Sequence, residues 1–128
     1  MKLNTVLVTS AIYMAFLGLG LVFAPSIASS GAIPADAAAT LIGFVRVLGS
    51  TFIGIAVLNW ASRNAAAATA RDAVILSNIA GFGLATILGI WGLFSGALPV
   101  TGVFVVIHLL FTLGFVWAGR AGMSARES

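Results

Sequence analysis

A chain of 128 residues with 61% hydrophobic and 7% charged residues is not a water-soluble domain, in which about a quarter of residues carry charge. Its mean hydropathy of +1.18 agrees, and the spans predicted below leave no length for a second folded domain. The net charge of +3 is spread singly along the chain with no nucleic-acid-binding motif, which excludes a nucleic-acid partner; without cysteine there are no disulfides, thiolate catalysis or thiolate-ligated metals.

Four apolar runs, approximately 3–24, 38–60, 73–94 and 100–118, can each cross a ~30 Å hydrocarbon core at ~1.5 Å per helical residue. They predict an all-α integral membrane protein: a four-helix bundle of up-down-up-down topology. It is expected as one domain, with a flexible tail over 119–128.

The first run follows Lys2, and the small residues at 26–32 have the look of a signal-cleavage region. A signal core spans about 7–15 residues, and this run is longer and glycine-rich, so a retained span is expected. Thr5, Thr9 and Tyr13 form a polar stripe along it, most simply read as interhelical hydrogen-bonding groups. The connection 25–37 carries two prolines, three serines and a glycine, which mark a surface loop. Its segment Ser30-Gly31-Ala32-Ile33-Pro34 returns as Ser95-Gly96-Ala97-Leu98-Pro99, each time before an even-numbered span. Two readings stay open: a parallel duplication of a two-helix unit, or a recurring capping turn.

The second span holds Arg46, the one permanently charged side chain within the four runs. If the helix enters the membrane near Thr40, Arg46 lies roughly 9 Å inside the boundary at ~1.5 Å per residue. An arginine at mid-helix costs about 2.5–3.5 kcal/mol on insertion scales, so the position calls for a reason. The long stem can snorkel to the headgroups, or the guanidinium can bond carbonyls near Gly49 or Ser50. The functional reading is contact with an anion or a lipid headgroup. Gly43, Ser50 and Gly54 share its side of the helix, and this small polar face predicts an inward-pointing side chain. Asn59 and Trp60 close the span, and the alanine-rich 61–72 segment predicts helix running on beyond it.

Ser77, Gly81, Ala85 and Gly89 recur every four residues in the third span, a close-packing stripe for another helix. Asn78 and Thr86 add hydrogen-bonding groups, and Trp91 marks the far interface. A tight hairpin is expected at 95–99. His108 then lies near the middle of the fourth span, above a small-residue series of Gly114, Ala118 and Gly122. A proton relay or an axial ligand is its functional reading. A neutral ring bonded to Thr112 or to another helix is the simpler one, since a lone histidine specifies neither a metal site nor a haem.

Lys2, Arg63, Arg71, Arg120 and Arg126 all fall on one side of this threading, and the other two connections hold no Lys or Arg. The positive-inside rule then puts both termini and the middle loop in the cytoplasm. Asp36, Asp72 and Glu127 are the only carboxylates and lie outside the apolar runs. That argues against a proton-coupled exporter resembling the small multidrug-resistance proteins. The stretch Val47-Leu48-Gly49-Ser50-Thr51-Phe52-Ile53-Gly54 is faintly similar to bacterial fluoride channels. Gly81-Phe82-Gly83-Leu84-Ala85-Thr86 lacks that family's phenylalanine motif, and the one-sided charges contradict its dual topology.

Three groups of residues carry a broader resemblance: Gly18-Leu19-Gly20-Leu21-Val22-Phe23-Ala24-Pro25; Arg46 with Gly49 and Gly54; and Asn59-Trp60-Ala61-Ser62-Arg63-Asn64. Together they resemble the small bacterial four-span membrane proteins of broadly DoxX-like type. The resemblance implies a compact bundle in the bacterial inner membrane and supplies no dependable function. The expected role is non-catalytic, an accessory or scaffold subunit packing through Gly54, Gly81, Ala85, Gly89, Gly114 and Ala118. Its partners would be the lipid bilayer and a second copy or a larger membrane complex, with no cofactor and no metal. The alternative is a small transporter or channel whose polar core gathers Arg46, His108, Ser50, Tyr13, Asn78 and Thr112.

Overall fold

The computed structural model describes residues 2–29, 32–65, 69–95 and 102–124, with the side chains at 69 and 121–124 outside that description. All regular structure among the described residues is helical: α1 (Leu3–Phe23), a single turn α2 (Pro25–Ala28), α3 (Ala39–Ser62), α4 (Thr69–Ser95) and α5 (Gly102–Ser124). The four long helices are each long and apolar enough to cross a membrane, with mean hydropathies of 2.0 to 2.2 over an 18-residue stretch. They are compatible with a membrane helical bundle.

Local chemistry explains several helix ends. α1 stops where Ala24 leaves the helical region (φ −141°, ψ 63°), and Pro25, with no N–H to donate, opens α2 at its first position. Ser29 then accepts a bond from the Ile33 N–H at 3.1 Å, closing the turn after α2. α3 ends at Ser62, whose carbonyl accepts from the Ala65 N–H at 3.1 Å. The alanine-rich stretch therefore divides: α3 gains two residues past Trp60, a turn follows, and α4 starts at Thr69, earlier than the apolar run implied. Helix α5 continues from Gly119 to Ser124, past the point where the apolar run ends. The repeated Ser-Gly-Ala-Ile/Leu-Pro segment, the 95–99 hairpin and Arg126 fall wholly or largely outside the described residues.

The chain divides into two compact units: Leu7–Ala61, and Ser62–Ser128 with Met1–Val6. In the first, α1 and α3 run antiparallel. Gly18 meets Gly49 and Ile53, while Ser10 meets Asn59, so position rises on one helix as it falls on the other. α2 folds back on α1, and a Cβ at Gly20 would stand 2.9 Å from the Ala28 Cβ. In the second unit α4 and α5 are antiparallel: Gly119 meets Ile75, Gly83 meets Thr112, and Gly89 meets Val105. Asn4 Nδ2 also donates to Asn64 Oδ1 at 2.8 Å, tying the first turn of α1 to the turn after α3.

Candidate functional site

The α1/α3 seam is built from small residues and one buried polar pair. On α3 it passes through Val45, Gly49, Ala56 and Asn59. Asn59 and Ser10 are both fully buried. Asn59 Nδ2 donates to Ser10 Oγ at 3.0 Å, and Ser10 Oγ donates to the Leu7 carbonyl at 3.0 Å. Such a bond between membrane helices contributes about 0.6 kcal/mol on average. Ser10 was missed by the sequence reading, which grouped Thr5, Thr9 and Tyr13. Thr5 and Thr9 are exposed, and Tyr13 is half-buried. The available signal was the series Leu7, Ser10, Ala11, Met14, Gly18 and Leu21, whose three- and four-residue steps follow a helix seam.

Arg46 lies on the other side of α3. It is exposed, as are Gly43, Ser50 and Gly54, which corrects the inward orientation expected of this face. One residue turns the helix by about 100°, enough to carry Arg46 off the seam marked by Val45. The Ser50 hydroxyl donates to the Val47 carbonyl at 2.7 Å and is engaged by its own helix. Nothing lies within 4 Å of a Cβ built at Gly43 or Gly54. Helical side chains lean toward the N-terminus, so the Arg46 stem leans toward the start of α3.

The α4/α5 seam is aromatic. Phe82 stacks on Phe111 (centroids 4.8 Å apart) and Phe115 (6.0 Å). The His108 ring, 4% exposed, lies 3.9 Å from the Phe104 ring and 5.6 Å from Phe82. His108 Nδ1 stands 2.7 Å from the Phe104 carbonyl. A carbonyl only accepts, so Nδ1 is the donor in this bond. The Thr112 hydroxyl donates to the His108 backbone carbonyl at 2.8 Å rather than to the imidazole. Asn78 Nδ2 donates to the Val74 carbonyl and Thr86 Oγ1 to the Phe82 carbonyl, each at 2.8 Å. These buried polar groups thus each bond a carbonyl one turn back on their own helix.

The six expected packing residues separate. Gly89 is buried, and a Cβ there would stand 2.8 Å from Val105 Cγ2. Gly114 and Ala118 are buried and Ala85 half-buried, whereas Gly54 and Gly81 are exposed with no neighbour within 4 Å. Ser77 and Gly81 are exposed and lie off the seam that Gly89 joins. The buried line is Val74, Asn78, Phe82, Thr86 and Gly89.

Of the residues expected to form one polar core, Asn78 and His108 are buried and Thr112 half-buried in the α4/α5 unit. Arg46 and Ser50, in the other unit, are exposed. No family model matches this chain, and neither a curated protein nor a solved structure matches it.

Proposed function

We propose that this chain is a multi-pass protein of the bacterial inner membrane, acting without catalysis as an accessory or scaffold subunit through the outward face of α3. The supporting observation is Arg46: a charge exposed on an apolar helix, beside open space at Gly43 and Gly54. Lipid tails offer that guanidinium no acceptor, so a charge within a span needs a partner or the headgroups. A neighbouring membrane protein offers both an acceptor for the guanidinium and a backbone that fits close to glycine. α3 is also the least buried of the four spans. With both termini in the cytoplasm, as the Lys and Arg distribution argues, Arg46 lies in the outer half of the bilayer.

A photocrosslinking amino acid in place of Gly54 tests this in intact membranes. A discrete adduct is expected, with a second copy or with another membrane protein, and Arg46→Gln should weaken it. The same group replacing Leu110, an exposed apolar residue of α5, is the control. Adducts no more discrete at Gly54 than at Leu110 would overturn the reading. So would a solute flux through purified protein in liposomes that Arg46→Gln abolishes, which is the outcome for a transporter.

A further inference from the structure

A groove of about 310 Å³ opens between α4 and α5 at the end where α4 begins. This falls at the lower edge of the ~300–1,000 Å³ typical of ligand pockets. Its walls are Ile75, Leu76, Ile79 and Val116. At Gly119 the two helices come together, a Cβ there standing 3.1 Å from Ile75 Cγ2. Two charged side chains also line it, one acid and one base: Asp72 in the first turn of α4 and Arg120 near the end of α5. The α1/α3 unit has a groove of comparable size, about 260 Å³, lined by residues such as Ala15, Ile53 and Trp60, with no charged side chain. The charge pair belongs to the α4/α5 groove alone of these two.

We propose that this groove holds one phospholipid with a phosphate and a primary ammonium in its headgroup. One of its two acyl chains starts along Ile75, Ile79 and Val116, the phosphate meets Arg120, and the ammonium meets Asp72; the rest of the lipid lies in the bilayer. Charge complementarity selects this occupant. A headgroup of one anion and one cation matches a lining of one base and one acid, and an ammonium with N–H donors can bond a carboxylate where a quaternary one cannot. A guanidinium has five N–H donors and a carboxylate about four acceptor positions, so contacts within the protein leave capacity for a headgroup. The inference rests on reading the helices as membrane spans; it does not depend on what α3 binds.

Trp117, exposed and adjacent to Val116, is a natural reporter. Protein carrying Trp60→Phe and Trp91→Phe, reconstituted in phosphatidylcholine vesicles, is titrated with brominated phosphatidylethanolamine, phosphatidylglycerol or phosphatidylcholine. Quenching of Trp117 should show a several-fold preference for phosphatidylethanolamine over both others. Asp72→Asn should erase the preference over phosphatidylcholine, and Arg120→Gln should weaken all three. Native mass spectrometry of the unaltered protein in mild detergent provides a second readout, with retained phosphatidylethanolamine expected. Equal binding of the three lipids, preference for phosphatidylglycerol, or a preference that survives both substitutions would overturn the assignment.

Discussion

Gly18 of α1 and Gly49 of α3 share a reciprocal close approach. A Cβ on Gly18 would stand 2.7 Å from the Gly49 carbonyl oxygen, and one on Gly49 would stand 2.8 Å from the Gly18 oxygen. Each obstacle is backbone, which cannot rotate away as a side chain can. Where apolar burial gives helices no reason to associate, such backbone proximity supplies dispersion contact along the seam.

Alanine at Gly18 or Gly49 should therefore force α1 and α3 apart at a cost of about 1–3 kcal/mol, the usual penalty for overpacking. Alanine at Gly43 or Gly54, which have open space, should leave stability unchanged or raise it. Unfolding of the purified protein by denaturing detergent, with the four variants side by side, checks the contrast.

Gly89 should behave differently from both sets. Its nearest obstacle is Val105 Cγ2, the end of a side chain, with Phe104 ring atoms at 3.4 and 3.5 Å. Gly89→Ala is expected to cost less than Gly18→Ala in the same unfolding measurement, and Gly81→Ala to cost nothing. A Gly81→Ala loss as large as that of Gly18→Ala would show that the exposed stripe is packed.

Ser10 and Asn59 should be energetically coupled. Ser10→Ala removes the acceptor and leaves a buried amide, whereas Ser10→Ala combined with Asn59→Leu removes both polar groups. A double-mutant cycle should return a coupling of about 0.6 kcal/mol, within the ~1.7 kcal/mol maximum for such bonds between membrane helices. Zero coupling would mean the bond does not form in the membrane.

His108 is held between tilted aromatic rings, so shape should matter more than its nitrogen atoms. His108→Phe keeps a planar ring in the site and is expected to cost no more than about 1–3 kcal/mol, the usual penalty for modest overpacking. His108→Ala should cost more, by opening a cavity between Phe82 and Phe104. The reverse order would place the value of the residue in its hydrogen bonds.

Much of the architecture is legible without coordinates. Apolar length, proline at 25 and the serine- and asparagine-bearing turn at 62–64 act within a few residues of themselves. The four helices could thus be found to within a few residues at most ends, and Asn78, Thr86 and His108 recognised as polar groups within spans. The helix continuing through Ser124 was hidden because hydropathy reports membrane contact and not backbone conformation.

Seams are a different kind of property. The sequence offers small-residue series at Ser77, Gly81, Ala85 and Gly89, at Gly114, Ala118 and Gly122, and at Gly43, Ser50 and Gly54, and by residue size alone they are equivalent. Only the tertiary structure decided that Gly18 meets Gly49, that Gly81 and Gly54 face outward, and that Ser10 receives the Asn59 amide. A helix has one azimuth against its partner, and that angle is set by the sum of contacts along two chains at once. Chain chemistry alone determined that the long helices are apolar enough for lipid; pairing determined which side of each is turned toward it.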